Sequence, residues 1–185
     1  MSDEISRALM DGPSGQILNS ADAAEIAGLG ATRTVQQGEV LFGLGDPADA
    51  LCFVLDGRLE VRLGSDEDAT RVASLGPGQL AGELEAMTRT LRVASVVAEV
   101  DTRILELPIS ELDRLLEENR ASGNRLVQVI AKTLARRLAA VNQRLTTRAH
   151  EPASAEDEVV EIVDTDVTII DEGDLDVLDR LWSTP

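Results

Sequence analysis

The stretch "ALCFVLDGRLEVRL", residues 50–63, decides the fold class. It opens with an apolar run, turns at Asp56-Gly57 and continues with "RLEVRL", in which polar and apolar residues alternate. Asp-Gly supplies the positive backbone φ angles that a tight hairpin needs, and alternation is typical of a strand with one buried face. The stretch therefore predicts two β-strands joined by a hairpin turn.

Short apolar runs of this kind extend from Thr34 to Leu107 and are separated by Gly, Asp and Pro. One separator is "SLGPGQL", residues 74–80, whose Gly and Pro residues force a sharp turn. Runs of about five residues spaced in this way favour a compact antiparallel roll or barrel over a parallel sheet.

Helical patterns lie on both sides of these strands. "SADAAEIAGLG", residues 20–30, predicts a short helix with Ser20 as its N-cap and glycines at its end. "ISELDRLLEEN", residues 109–119, predicts a second helix with Ser110 in a capping position, and a longer helical pattern follows it. The predicted fold class is mainly β with helices (α+β), an antiparallel, jelly-roll-like β-roll flanked by an N-terminal helix and a long C-terminal helix.

Composition along the 185 residues predicts four segments. They are a flexible N-terminus (1–13, ending in the breaker cluster "DGPSG"), a β-roll domain (14–118), a long basic helix (119–150) and an acidic tail (151–185). The formal net charge is −17 overall. The long helix holds seven bases and no acid, whereas the tail holds twelve acids and one base.

The long helix carries an apolar stripe that needs a partner. The stripe comprises Leu126, Ile130, Leu134, Leu138, Val141 and Leu145. Its first half packs either on the roll of its own chain or on a partner, and its second half favours a second copy of the helix, hence a homodimer. The acidic tail either docks on the basic ridge of the helix (Lys132, Arg136, Arg144 and Arg148) or stays solvated.

Composition also excludes several classes of function. Three aromatic residues and a net charge of −17 argue against a nucleic-acid surface. One histidine, His150, and one cysteine, Cys52, exclude most zinc and catalytic-triad chemistry, so we expect neither an enzyme nor a metal site. No leader-like segment and no apolar run of about 20 residues occurs, which predicts a cytoplasmic protein without membrane attachment.

The segment "GELEAMTRTLRVAS", residues 82–95, brings together the parts of an anion site. A Gly permits close approach of the backbone to a ligand, a short helical turn offers N–H groups, and Arg92 can fork onto two phosphate oxygens. These parts alone are weak evidence, because Arg92 could equally form salt bridges on a surface loop.

The order of elements strengthens the anion-site interpretation, because the chain resembles the cyclic nucleotide-binding domain family over residues 14–148. The resemblance rests on "QGEVLFGLGDPADALCFVLDGRLEVRL", on the segment 75–108 and on "ARRL" in the long helix. It aligns Gly38, Gly45, Asp46, Gly57, Gly76, Gly78, Gly82, Glu83 and Arg92 with family positions. It implies a β-roll like that of catabolite activator protein, and no helix-turn-helix pattern follows the long helix, so we expect no DNA-binding domain.

The resemblance also implies the roles of individual residues. Glu83 would accept hydrogen bonds from a ribose 2′-hydroxyl, the backbone of Gly82 and Leu84 would line the pocket, and Arg92 would pair with the cyclic phosphate. Val93 stands where some members have a hydroxyl side chain, which favours cAMP over cGMP. Asn142 on the long helix is the candidate contact to the base.

Glu85 departs from the family pattern and leaves two alternatives open. Its side chain either points to water and leaves the pocket intact, or it places a second negative charge where the phosphate would bind. The first alternative predicts a stand-alone cyclic nucleotide sensor, without a further cofactor, that signals to a protein partner through residues 119–185. The second favours a protein-interaction adaptor that has kept the fold and lost the ligand.

Overall fold

The structure is a computed structural model that describes residues 2–64 and 69–148. The predicted C-terminal tail, residues 151–185, lies outside the described residues. The described helices are α1 (Ser2–Met10), α2 (Ser20–Leu29), α3 (Glu83–Thr88), α4 (Ile109–Glu117) and α5 (Ala121–Arg148), with a 3₁₀ turn at Pro13–Gln16. The strands are β1 (Ala31–Val35), β2 (Val40–Phe42), β3 (Ala50–Asp56), β4 (Leu59–Leu63), β5 (Thr70–Leu75), β6 (Leu80–Ala81), β7 (Ser95–Ala98) and β8 (Thr102–Pro108).

The strands form two four-stranded antiparallel sheets, which confirms the predicted β-roll. One sheet has the order β1-β8-β3-β6 and the other β2-β7-β4-β5. The hairpin predicted at Asp56-Gly57 is wrong, because β3 pairs with β6 and β8 whereas β4 pairs with β5 and β7. Gly57 does adopt the predicted positive φ, 91°, but its turn carries the chain from one sheet to the other.

Strand β3 of the first sheet is buried on both faces. On β3, Leu51, Phe53 and Leu55 face a core formed with the helices, whereas Cys52 and Val54 face the core between the sheets. A strand covered on both sides needs apolar residues at successive positions, which explains the unbroken run "ALCFVL". Burial also raises the pKa of the Cys52 thiol to about 12, so this cysteine is protonated at neutral pH.

The N-terminus differs from the flexible segment predicted for residues 1–13. Residues 2–10 form helix α1, which places Ile5 and Leu9 in the core shared by the helices and the first sheet. Gly12 then packs so closely on Gly78 that a Cβ on Gly12 would lie 2.4 Å from the Gly78 Cα. The breaker cluster is therefore a packed turn, and the apolar residues Ile5 and Leu9 upstream of it are buried in the core.

Two predicted helix caps are also corrected. The N-cap of α2 is Asn19, not Ser20, and Asn19 forms a capping box with Asp22. Helix α4 begins at Ile109 after Pro108, so Ser110 lies inside the helix and makes no cap. The errors shift the N-cap by one residue in α2 and by two in α4, and they leave the fold unchanged.

The first half of α5 packs on its own chain. Leu126, Val129 and Ile130 are buried against the helix-side core. Arg125 donates to both carboxylate oxygens of Asp22 at 2.7 Å, which ties α5 to α2. Leu138 in the second half is 58% exposed, so the apolar stripe continues beyond the core that covers its beginning.

We expect Gly57→Ala to destabilise the fold by about 2 kcal/mol or more, because the positive φ is strained for alanine. Its Cβ would also lie 2.6 Å from the Asp101 carbonyl oxygen. Gly28→Ala is the matched control, because Gly28 is exposed in α2 and has no atom within 4 Å of an added Cβ. The control should raise stability by up to about 1 kcal/mol in urea unfolding. Equal effects of the two substitutions would contradict this account.

Candidate functional site

The segment 82–95 starts at the end of β6, where Gly82 has a left-handed φ of 79° and begins the six-residue helix α3. The Arg92 side chain folds back onto this glycine, and a Cβ at residue 82 would lie 2.2 Å from Arg92 Nη1. Both the backbone angle and the close guanidinium require a glycine here.

Arg92 is buried, so the interpretation of it as a surface-loop residue is wrong. Its side chain is 2% exposed, Nη2 donates to the Ala50 carbonyl at 2.7 Å, and its guanidinium carbon lies 3.9 Å above the centre of the Phe42 ring. Its backbone is held on both sides, since its N–H donates to the Asp46 carbonyl and its carbonyl accepts from the Gly45 N–H. A main chain fixed in this way gives the guanidinium one position inside the protein.

The hydrogen-bonding capacity of the Arg92 guanidinium is only partly used. Nε and Nη1 are buried and have no hydrogen-bond partner among the described residues. The neighbouring carboxylates are Glu85, whose Oε2 lies 3.8 Å from Nη1, and Asp49, whose Oδ1 lies 4.0 Å from Nη2. Asp49 is 90% exposed, so water screens its charge. Two buried donors without a partner are costly in a finished site, and they are suited to an anionic ligand.

Glu85 does not point to water, so the first of the two alternatives for this residue is wrong. Its side chain is 6% exposed, and its Oε1 accepts a hydrogen bond of 3.0 Å from the backbone N–H of Val93. The carboxylate therefore lies between the end of the Arg92 loop and the Arg92 guanidinium.

Glu83 is also buried, but its partner is Arg137 of α5 and not Arg92. Arg137 Nη1 donates to Glu83 Oε1, and Arg137 Nη2 donates to the Leu80 carbonyl at 2.9 Å. Burial raises the pKa of the Glu83 carboxyl, and the positive charge of Arg137 opposes that rise. Arg137 thus connects helix α5 to this site.

The other predicted site residues are less enclosed. Leu84 is 38% and Val93 36% exposed, and the contact of Val93 is made by its backbone N–H. Asn142 is exposed on α5, five residues beyond Arg137, which corresponds to about 140° around the helix. The structure therefore gathers Gly82, Glu83, Arg92 and the Val93 backbone, and it places Asn142 on another face of the helix.

Sequence reasoning missed the role of Arg137. Arg137 follows Ile130 by seven positions and Leu134 by three, so it falls on the inward stripe of the helix. A charged residue on an apolar helix face indicates a buried partner, and this signal could have identified it.

A cleft of about 250 Å³ borders Arg92 on the side of the Asp46–Ala50 loop. Phe42, Cys52 and Glu106 contribute to its lining, and of the predicted site residues only Arg92 does. Small-molecule sites usually measure about 300–1,000 Å³. Glu83 and Glu85 are not part of this lining, and the acidic group next to Arg92 Nη1 is the Glu85 carboxylate, whose Oε2 lies 3.8 Å away.

Residues 2–64 and 69–148 hold neither a metal-binding cluster nor a membrane-spanning helix. Over that part of the chain, no three His, Cys, Asp or Glu side chains lie close enough to hold a metal ion. No helix described there has the length and apolar character needed to cross a bilayer.

Comparison with known proteins relates part of this chain to a family. Residues 32–119 match the family model described as the cyclic nucleotide-binding domain. Among curated proteins, glutaminase 1 of Bradyrhizobium diazoefficiens is 34% identical over 132 residues, which is 70% of this chain and 21% of the glutaminase. The chain thus spans about a fifth of the length of that relative.

Solved structures with a similar fold include two of this kind. Catabolite activator protein from Thermus thermophilus is 27% identical, with a TM-score of 0.64 over 75% of this chain and 63% of that chain. A cyclic nucleotide-binding domain from Methylobacillus flagellatus has a TM-score of 0.72 over 83% of this chain and 89% of that chain, at 19% identity. The second likeness concerns the fold alone.

The raised pKa of Glu83 predicts a pH dependence of stability. Glu83 keeps its proton to higher pH in the folded state than in the unfolded state. Its contribution to the free energy of unfolding is therefore fully present below about pH 4.3 and declines as pH rises through the folded pKa. We expect the stability of the wild type relative to Glu83→Gln to fall as the pH rises above about 4.3 in urea unfolding.

Glu117→Gln, which alters an exposed residue of α4, controls for the loss of one charge. If the free energy of unfolding of the wild type rose with pH relative to that of Glu83→Gln, the burial argument would be contradicted.

Proposed function

Since residues 32–119 form a cyclic nucleotide-binding domain, we propose that this chain is a regulatory module that binds a cyclic mononucleotide with its phosphate at Arg92. The observation that carries the proposal is the buried Arg92 guanidinium, two of whose nitrogens have no hydrogen-bond partner among the described residues. The proposed role is binding and not catalysis. We place it in the cytoplasm, in accordance with the sequence composition.

The chemistry of the site suits a cyclic phosphate. A cyclic phosphate carries one negative charge, which one guanidinium balances in a site from which most water is excluded. The backbone N–H of Val93, which now donates to Glu85, is a second donor for the same anion. Gly82 leaves the space that Arg92 Nη1 itself occupies, since a Cβ at residue 82 would lie 2.2 Å from that nitrogen.

Glu83 connects the proposed ligand to helix α5. The family resemblance assigns a ribose hydroxyl to Glu83, and Arg137 holds the same carboxylate in the present structure. A ribose hydroxyl that donates to Glu83 competes with Arg137, so ligand binding changes the attachment of α5. This competition supplies the differential interaction that any ligand-driven signal requires.

We propose cAMP as a better ligand than cGMP. Val93 offers no side-chain hydroxyl to a guanine or a phosphate, and its side chain is 36% exposed. The other proposed partners are a second copy of this chain and a regulated protein that contacts residues 119–185. Support for a homodimer comes from Leu138, an apolar residue of α5 that is 58% exposed.

A second candidate function, the ligand-free adaptor, is favoured by one specific observation. Glu85 already occupies the place next to Arg92, and Arg137 already engages Glu83. Exposed apolar side chains on α3 and in the following loop, Leu84, Met87 and Leu91, would then contact a protein partner. The adaptor predicts that capture of a partner through residues 119–185 is the same with and without nucleotide.

Isothermal titration with cAMP and cGMP, on protein freed of nucleotide, tests the proposal. We expect cAMP to bind, and Arg92→Ala to weaken binding about 100-fold, because two charge-assisted hydrogen bonds are lost. Arg89→Ala is the matched control, because Arg89 lies in the same loop, is exposed and pairs with Asp113 outside the site.

Circular dichroism should first establish that both variants fold. Absence of heat with either nucleotide, or binding that Arg92→Ala leaves undiminished, would refute the sensor and leave the adaptor.

A further inference from the structure

Glu85 is the feature of this site that the proposed function does not use. Resting on that proposed function, we infer that Glu85 is a resident anion, which occupies the position of the ligand phosphate and must be displaced before a cyclic nucleotide binds. Glu85 therefore sets the affinity of the domain for its ligand.

The contacts of Glu85 are those that an incoming phosphate needs. One oxygen, Oε1, accepts the Val93 backbone N–H at 3.0 Å, and the other, Oε2, lies 3.8 Å from Arg92 Nη1. The side chain is 6% exposed, so these contacts are made away from bulk water. A carboxylate and a cyclic phosphate each carry a single negative charge, so one can replace the other without changing the charge of the site.

Both anions cannot occupy the site together. Arg92 supplies one positive charge, and the neighbouring Glu83 is committed to Arg137. A second anion beside Glu85 would be buried without a countercharge, which is strongly unfavourable. Binding of phosphate and retention of Glu85 are therefore mutually exclusive.

Glu85 does not satisfy the full hydrogen-bonding capacity of the Arg92 guanidinium. At 3.8 Å, Glu85 compensates the charge of Nη1 without forming a hydrogen bond, and Arg92 Nε likewise has no partner among the described residues. A phosphate is larger than a carboxylate and presents more oxygens, so it can approach both nitrogens. The ligand consequently has an advantage over Glu85 at Arg92, and Glu85 reduces its affinity without abolishing binding.

The displacement can be confined to a short segment. Helix α3 has six residues and lies between Gly82 and Arg89, both of which have positive φ angles. The side chains on either side of Glu85 in the sequence differ in exposure, with Leu84 at the surface and Ala86 buried. A change in the orientation of this short helix moves Glu85 towards the exposed side and leaves β6 and β7 in place.

The test compares Glu85→Ala and Glu85→Gln with the wild type by isothermal titration with two probes, cAMP and inorganic phosphate. Asp49→Asn is the charge-matched control, because it removes a carboxylate 4.0 Å from Arg92 that is 90% exposed. Glu85→Gln keeps the shape of the side chain and an acceptor for the Val93 N–H, so it remains informative if Glu85→Ala fails to fold.

We expect Glu85→Ala to bind cAMP about 10- to 100-fold more tightly than the wild type, because one charge-assisted contact no longer has to be broken. Glu85→Gln should fall between the two, and Asp49→Asn should change the affinity by less than about threefold, as an exposed charge does. Inorganic phosphate should bind Glu85→Ala more tightly than the wild type, and adding Arg92→Ala should abolish that gain.

The outcomes separate this inference from the proposed function. Equal affinities of the wild type and the Glu85 variants for both probes, including no binding at all, would overturn the inference. If the wild type and the Glu85 variants all bind cAMP, and do so with equal affinity, the inference fails but the proposed function stands. Binding of phosphate to Glu85→Ala in an Arg92-dependent manner, with no cAMP binding by any variant, would support the resident anion and refute the sensor. Binding of cAMP by the Glu85 variants alone would support the inference and make the native chain an adaptor.

Discussion

The buried positive charge of Arg92 is the constraint on which the rest of this site depends. A guanidinium inside a protein is unfavourable unless neighbouring groups compensate it. Here the compensation comes from the Ala50 carbonyl, the face of Phe42 and the carboxylate of Glu85. Each of these groups belongs to a different part of the chain, so the fold of the roll and the state of the site are linked. With a formal net charge of −17, the protein repels anions at long range, and only such a local arrangement could bind one.

Arg137 extends this arrangement to the long helix. It reaches from α5 to both Glu83 and the Leu80 carbonyl, so the end of β6, helix α3 and α5 meet at one guanidinium. The first turns of α5 are fixed by the core and by Asp22, whereas its later turns expose Leu138. A change at Glu83 would therefore act on the part of the helix that the core holds least. Two ion pairs, Glu83 with Arg137 and Glu85 with Arg92, connect the proposed ligand to the proposed response.

The sequence predicted the class of fold because hydrophobic periodicity and turn residues are local signals. The long helix and the strand-rich region from Thr34 to Leu107 depend on such signals, and the structure has both. The pairing at Asp56-Gly57 was not predictable in this way, because whether two consecutive strands share a sheet depends on the whole roll. Helix α1 was missed because a nine-residue segment gains its stability from docking and not from its own propensity.

For the site, the sequence identified Gly82, Glu83 and Arg92 but not their partners. Residue types indicate what a side chain is able to bind, whereas the partner depends on which groups the fold brings within reach. Glu85 and Arg137 illustrate this difference, since Glu85 lies next to Arg92 and Arg137 donates to Glu83. Asn142 shows the converse, because a polar residue on the correct helix faces the site only if its angular position allows it.

The most direct measurement of the central claim follows the Val93 amide and the Arg92 Nε–H by ¹⁵N NMR while cAMP is added. The account predicts that both resonances shift together in a saturable manner, and that adenosine, which lacks the phosphate, moves neither. Shifts confined to residues of the neighbouring cleft, such as Leu41 and Cys52, with Val93 and Arg92 unchanged, would contradict the account.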